Sequence, residues 1–280
     1  MHARISLVSL LVCLNAAAAT AHAQVSGPAT DVPPVSDAPP GQESVQRGVQ
    51  GPEGMLHARV LLHMNLSEDR VGEPISLAPD LYYAFSDTFQ AGIVHNLPMG
   101  WLTRPGAGLC LTGEDSCREV YDNFGLDTML GLAFGDFNFS LHTGLYVLQI
   151  ADPTFVMFTF GAATKFHFGD SVALFIDPQV GIALSERDAG NEDLLFLPAE
   201  LQFQLSDRVV LKLLSGVWGP LDNLGDAAQV PVGLGLIGNI SSGLDLGLRF
   251  SFDNLLGPQP AGQDNTDLRS LALLLHLRFD

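Results

Sequence analysis

The chain lacks long apolar runs, and its basic residues are few. After residue 23 there is no stretch of about 18 or more apolar residues, so no segment has the length of a membrane-spanning helix. Lys and Arg together number 13 against 31 Asp and Glu, which gives a formal net charge of -18. Nucleic-acid binding needs clustered basic side chains against the phosphates, so this composition disfavours nucleic acid as a partner.

Cysteine is also scarce, with 3 in the chain of 280 residues. Cys13 lies in the N-terminal apolar stretch, where the bulky Val12 before it disfavours a lipoprotein site. In an exported chain, two cysteines as close as Cys110 and Cys117 indicate a disulfide rather than a metal site. No further Cys or His lies near enough in sequence to complete zinc coordination, and the sequence predicts neither a metal nor a cofactor.

The first 54 residues divide into two segments. Arg4, the apolar residues 5–14 and the small-x-small sequence at 21–23 predict a secretory signal peptide over residues 1–23. Residues 24–54 are rich in Pro, Gly, Ser and Gln and contain almost no large apolar side chain. Such a segment buries too little surface to offset its ordering entropy, so we expect it to be disordered.

From Met55 to the C-terminus, short turns alternate with long, acidic, Gly/Pro-rich loops. The short turns are Ser86-Asp87, Gly135-Asp136, Gly169-Asp170, Ser206-Asp207 and Ser241-Ser242-Gly243. Between turns and loops, apolar and polar residues alternate over about the 9–11 positions that a tilted strand needs to cross a bilayer. About twelve strands are predicted, at 55–66, 75–86, 88–97, 121–134, 137–148, 155–168, 171–184, 194–205, 208–217, 229–240, 243–253 and 268–279.

This alternation of short turns and long loops is typical of an antiparallel up-and-down transmembrane β-barrel over residues 55–280. A soluble sandwich would also alternate, but its apolar faces would point inward and its edge strands would need protection. Five phenylalanines flank the short turns on the predicted lipid face, where an aromatic girdle belongs: Phe85, Phe89, Phe134, Phe137 and Phe168. Four prolines inside predicted strands argue against unbroken pairing, and bulges are expected near them: Pro79, Pro178, Pro198 and Pro231.

The second face of each strand collects the polar residues and is assigned to the lumen, because charged groups are costly on the lipid side. The candidate lumen-lining residues are His57, Arg59, Asp80, Tyr82, Asp127, His142, Lys165, Asp177, Glu200, Lys212, Asp245, Arg249 and Arg278. In one interpretation, interleaved glycines leave room for water and the polar ring forms a narrow selective pore. In the other, acids and bases pair across the lumen and only stabilise the barrel.

Two further possibilities concern the outside of the barrel. A lipid-modifying enzyme would need a base and a nucleophile on the lipid face, where strand parity places His95, Thr128 and Thr143. Hydrolysis normally uses a positioned Ser, so we predict no catalytic residues and no enzyme. The long loops collect acids such as Glu68, Glu114, Asp115 and Glu192, which predict a solvated acidic rim rather than a cation site against lipopolysaccharide.

The last strand, at residues 271–279, alternates apolar residues toward a final Phe279, and Asp280 follows it. This pattern resembles the terminal insertion signal of bacterial outer-membrane β-barrel proteins, and residues 55–280 resemble that porin-like class in general. The resemblance implies the outer membrane of a Gram-negative bacterium, contact with lipid and lipopolysaccharide, and insertion by the barrel-assembly machinery. The expected function is a narrow passive channel for small polar solutes or ions; the alternative is a closed structural or surface-interaction barrel. A plug role for residues 24–54 has no support in the sequence.

Overall fold

The fold follows the predicted alternation of strands and turns closely. A computed structural model describes residues 45–96, 105–112, 117–259 and 264–279. The predicted signal peptide 1–23 and residues 24–44 of the predicted disordered segment lie outside the described residues, as do Glu114, Asp115 and Asp280.

Among the described residues, twelve antiparallel strands close into a barrel, which confirms the predicted fold class. One of the twelve is interrupted and carries two labels, β8 and β9, and a short additional strand, β4, extends the sheet. The strands are β1 (Leu56–Asn65), β2 (Ile75–Ser86), β3 (Phe89–Val94), β4 (Leu109–Cys110), β5 (Phe124–Ala133), β6 (Phe137–Gln149), β7 (Phe155–His167), β8 (Val172–Ile176), β9 (Gln179–Ala183), β10 (Leu194–Ser206), β11 (Val209–Pro220), β12 (Val232–Ser241), β13 (Leu244–Phe252) and β14 (Arg269–Phe279).

The first and last strands close the barrel. β1 pairs with β2 on one side and with β14 on the other, so that Leu56 faces Phe279 and Asn65 faces Ser270. Closure leaves the barrel without a free sheet edge, which is the condition for strands to lie in a hydrocarbon layer.

The two faces of the strands separate as the alternation predicts. On β2, β3 and β5, the outward residues Leu81, Ile93 and Leu126 are 47%, 51% and 54% exposed, whereas the neighbouring Asp80 and Asp127 are buried inside. Successive side chains on a strand point to opposite faces, so one face coats the exterior with apolar groups and the other fills the lumen. Phe134 departs from the predicted girdle, because its ring lies against Gly131 at the inner side of the mouth.

The prolines account for the interrupted strand. The predicted strand 171–184 divides at Asp177 and Pro178 into β8 and β9. Pro198 of β10 faces the same gap, where it accepts a hydrogen bond from the Asp177 N–H at 3.2 Å. Proline has no backbone N–H to donate, so Pro178 and Pro198 on neighbouring strands both leave the hydrogen-bond ladder incomplete at the same gap. Pro231 falls just before β12, and Pro79 lies beyond the last β2–β3 pair, Leu81 with Ile93.

Register shifts between paired strands lie mostly next to the short turns, with one next to a long loop at Val147/Gln149. Register shifts precede four of the short turns, at Ala84/Ser86, Gly131/Ala133, Gln204/Ser206 and Asn239/Ser241. These bulges increase the local twist where a strand bends into its turn. Helical structure is short, at Arg187–Ala189, Leu221–Asn223 and Leu224–Ala227. None of the helices among the described residues is long and apolar enough to span a membrane.

The loop after β3 contains the predicted disulfide. Cys110 and Cys117 are joined, with 6.2 Å between their Cα atoms. Cys110 also lies on β4, which pairs with Ser76 and Leu77 of β2 above the point where β3 ends. Sequence alternation could not reveal β4, since two residues are too few to show a period.

Residues 45–54 correct one part of the sequence prediction. The composition predicts disorder over 24–54, but the structure packs residues 45–54 against the inner side of the barrel wall at the short-turn end. Val45 is fully buried, and the Gly54 N–H donates to the Ala84 carbonyl at 2.9 Å. The physical reason is that this stretch needs no core of its own, because polar side chains of the wall satisfy its backbone groups.

Candidate functional site

The lumen contains a cavity of about 260 Å³ lined mainly by charged and polar side chains. Of the predicted lumen-lining residues, all line this cavity except Asp245 and Arg278. The cavity separates two surfaces of unlike chemistry. We call the inward side chains of β2–β9 the filled wall and those of β10–β14 the basic wall.

A buried ionic network occupies the centre of the filled wall. His142 Nε2 lies 2.7 Å from Asp127 Oδ2, and His142 Nδ1 lies 2.8 Å from Asp177 Oδ2. His142 therefore bridges the two carboxylates through its two ring nitrogens. Tyr146 donates its hydroxyl to Asp127, and Gln179 donates to Asp177 at 3.0 Å. The strand order explains the convergence, because β5, β6, β7 and β9 follow one another around the wall.

Glycines on the filled wall are occupied by neighbouring side chains. A Cβ on Gly125 or Gly144 would overlap the ring of Tyr146, and a Cβ on Gly92 would overlap Tyr82. Gly161 likewise accommodates Gln179. The expectation that glycines leave room for water is therefore wrong on this side of the barrel, where they provide clefts that seat larger side chains.

Two residues of β1, His57 and Arg59, contact the ring of Tyr82. The His57 ring stacks on it with a centroid distance of 5.4 Å, and the Arg59 guanidinium carbon lies 5.4 Å from the Tyr82 ring centroid. Cation–π contact of this kind is favourable when the groups are desolvated. Asp80, on the same strand as Tyr82, accepts hydrogen bonds from the backbone N–H groups of His95 and Asn96 at 2.8 and 3.1 Å.

The basic wall is less crowded. Lys212 Nζ lies 3.0 Å from Glu200 Oε2. Gly235 stands between Lys212 and Arg249 in register, and the nearest atom to a Cβ placed on it is Lys212 Cβ at 3.5 Å. Within the described residues, Nε and Nη2 of Arg249 have no hydrogen-bond partner. This wall therefore presents a guanidinium to the cavity beside a glycine that also lines it.

Asp245 and Arg278 form a separate pair nearer the short turns. Arg278 Nη1 and Nη2 donate to the two carboxylate oxygens of Asp245 at 2.6 and 2.7 Å. Both residues are buried, and the bidentate geometry is the strong form of such a pair. They tie β13 to β14 next to the closing strand, which is a structural role rather than a lining one.

Asp253 lies one residue beyond the end of β13, on the long-loop side. It accepts hydrogen bonds from the Ser251 and Ser270 hydroxyls at 3.2 and 2.9 Å, and it interacts electrostatically with Arg249. Burial raises the pKa of Asp253 to about 6. Its charge therefore changes close to neutral pH, next to the guanidinium of the basic wall.

The three residues considered for a lipid-face enzyme do not form one site. His95 is buried, with Nε2 at 2.8 Å from the Tyr121 hydroxyl and Nδ1 against the Pro79 carbonyl. Thr128 and Thr143 instead share a hydroxyl–hydroxyl hydrogen bond of 2.8 Å. Thr128 is paired with Ala91, four residues along the chain from His95, so the base and the hydroxyls are apart.

Sequence parity missed the apolar part of the lining and the contribution of residues 45–54. Phe175 and Leu214 face the cavity, as do Arg47, Gly48 and Val49. The sequence prediction includes only polar residues and therefore leaves out Phe175 and Leu214, although these two have the same parity as Asp177 and Lys212. No group of three or more His, Cys, Asp or Glu able to hold a metal ion occurs within the described ranges.

No protein-family model and no curated protein matches the sequence. Solved structures do match in fold. The NanC porin is 6% identical with a TM-score of 0.54, over 80% of this chain and 99% of that chain. The KdgM porin is 5% identical with a TM-score of 0.53, over 80% and 99%. An outer membrane channel from Pseudomonas putida F1 is 12% identical with a TM-score of 0.51, over 82% and 97%. The chain therefore has the fold of outer-membrane β-barrel proteins.

Proposed function

We propose that this protein is a narrow passive channel for small polar solutes or ions in the outer membrane of a Gram-negative bacterium. The observation that carries the proposal is the cavity of about 260 Å³ inside the closed barrel, which charged side chains line together with apolar ones. A site of that size holds several water molecules, each of which needs polar partners such as Arg249 and Lys212 offer. The likeness in fold to porins and to an outer membrane channel supports the same function.

The setting of the channel belongs to the same proposal. The signal peptide 1–23 would direct export, and the barrel-assembly machinery would recognise the terminal strand ending at Phe279. The apolar exterior suits contact with lipid, and the long loops would lie on the lipopolysaccharide side as a solvated acidic rim. Neither a cofactor nor nucleic acid is required.

Single-channel recording in a planar bilayer tests the proposal. Refolded protein should produce discrete conductance steps, and Gly235→Trp should reduce them because Gly235 lines the cavity and a Trp side chain there would occupy it. Leu236→Trp is the matched control, since Leu236 is its strand neighbour on the exterior and is 47% exposed. The absence of steps from correctly folded protein would reject the channel.

A closed structural barrel is the second candidate, and the filled wall is the observation that favours it. Buried carboxylates, His142 and two tyrosines occupy most of the lumen on that side. If folded protein conducts no ions, this network acts only to hold the barrel together, and the acidic loops become the working surface.

An outer-membrane lipid hydrolase is the least supported candidate. It would need a base beside a nucleophile, whereas His95 contacts Tyr121 and the threonine hydroxyls contact each other. The non-enzymatic proposal agrees with the porin and channel neighbours.

A further inference from the structure

Residues 45–54, which we call the strap, follow the inner side of the barrel wall at the short-turn mouth. Their contacts begin at β10, where the Val45 N–H donates to Gln204 Oε1 at 3.0 Å. They continue to the turn after β7, where Gln46 Nε2 donates to the Gly169 carbonyl at 2.8 Å. They end at β2 and β3, where the Gly51 N–H donates to Gln90 Oε1 at 3.2 Å. The strap thus contacts about half of the ring of strands.

The strap is fixed by few apolar contacts and many polar ones. Val45 at its start is 0% exposed, and Met55 directly after it is 1% exposed. Between these two anchors, Gln50 is buried and donates to the Thr88 carbonyl at 3.3 Å. Little apolar area holds the middle of the strap, and elements with few buried apolar contacts open at a lower free energy than the core.

The strap also forms part of the cavity surface. Arg47, Gly48 and Val49 line the same cavity as Arg59, Lys165 and Arg249. Lys165 Nζ donates to the Arg47 carbonyl at 2.8 Å, which ties the strap to β7 where it borders the cavity. A solute that passes from the cavity toward the short turns must therefore pass the strap.

We propose that the strap restricts the short-turn mouth of the lumen and that its release widens the path. This inference rests on the proposed channel function. The wall itself provides the restraining groups, since Gln90, Lys165 and Gln204 are barrel side chains whose hydrogen bonds go to strap backbone atoms. An element held in this way can be displaced while the barrel strands keep all their ladders.

The test combines a strap variant with two measurements. Val45→Asp with Gln50→Glu places carboxylates at two buried strap positions and leaves every barrel strand unchanged. The matched control, Ser171→Asp with Ser242→Asp, adds the same charges at exposed residues of the short turns. If the charged strap variant does not refold, Gln90→Ala with Gln204→Ala removes two acceptors for strap N–H groups without adding charge.

The first measurement is limited trypsin digestion of folded protein. Arg47 is the only Lys or Arg between residues 24 and 58, so cleavage after it gives one diagnostic fragment. Proteolysis needs local opening, and we expect cleavage after Arg47 to be roughly tenfold faster in the strap variant than in the wild type or the control.

The second measurement is single-channel conductance, which should rise about twofold in the strap variant and stay unchanged in the control. Equally fast trypsin cleavage of the wild type and the strap variant would show that the strap is not held, and equally slow cleavage of the strap variant and of Gln90→Ala with Gln204→Ala would show that it is not released. Faster cleavage with equal conductance would show that the strap does not restrict the path. Each of these results overturns the inference about the strap but not the proposed channel function. If no variant conducts, the channel function fails and the restricting role fails with it.

Discussion

The lumen glycines at Gly144 on the filled wall and Gly235 on the basic wall have opposite surroundings. On the filled wall, Gly125 and Gly144 make room for the Tyr146 ring, which closes over an ionic network. On the basic wall, Gly235 borders the cavity with no atom closer than 3.5 Å to its Cβ position. A lumen glycine therefore indicates a missing side chain, and only the neighbouring residues decide whether another side chain or solvent takes the space.

The largest expected effect is on the filled wall. His142→Leu would leave the Asp127 and Asp177 carboxylates buried without the imidazole that bridges them, and breaking a buried ion pair costs about 3–5 kcal/mol. The free energy of unfolding in urea, measured on protein refolded into lipid vesicles, should fall by that amount.

The control removes both charges as well. Asp127→Asn and Asp177→Asn combined with His142→Leu should recover much of the loss, because no unpaired buried charge remains. If the triple variant is as unstable as His142→Leu alone, packing rather than charge holds the filled wall.

Substitution of Gly144 and of Gly235 by alanine should lower the free energy of unfolding by smaller and unequal amounts. Gly144→Ala forces the Tyr146 ring to move, and overpacking of this kind costs about 1–3 kcal/mol. Gly235→Ala should stay within about 0.5 kcal/mol of the wild type, because its Cβ meets only ordinary contacts. The same urea unfolding experiment compares them, and equal losses would remove the distinction between the walls.

The smallest effect concerns the charge of the basic wall. Because the pKa of Asp253 is raised to about 6, lowering the pH through that value neutralises the carboxylate that interacts with Arg249. The wall then becomes more positive. Between about pH 7.5 and about pH 5, the anion-to-cation permeability ratio from reversal potentials should rise about twofold.

Asp253→Asn should abolish most of this pH dependence. Asp193→Asn is the control, because the Ala183 N–H and the Arg187 guanidinium hold the pKa of Asp193 below its usual value. Asp193 therefore keeps its charge through this pH range. A pH response that survives Asp253→Asn would assign the effect to another group.

Most of the architecture could be predicted because period-two alternation determines both strand position and face. β2 has the predicted bounds, Ile75–Ser86, and the inward positions of Asp127 and His142 follow from parity alone. The sequence predicts irregular strand pairing near the prolines. It does not predict that Pro178 and Pro198 share one gap, because strand register depends on neighbours that are distant in sequence.

The site was less predictable for the same reason. Parity gives the face of a side chain but not which side chains meet across strands, so it could not show that the Tyr146 ring fills the space beside Gly144. The strap has no periodic pattern at all. Its order comes from Gln90 and Gln204, which lie 39 and 159 residues away from their partners Gly51 and Val45.

The gap at Pro178 and Pro198 gives the closed barrel a line along which neighbouring strands separate most easily. Across this gap β10 changes its partner, from β8 over Ala199–Phe203 to β9 over Leu194–Phe196. Thermal fluctuations that part the wall should concentrate along this seam in the half next to the long loops. Lateral contact between the lumen and the surrounding bilayer, if it occurs anywhere, would begin there.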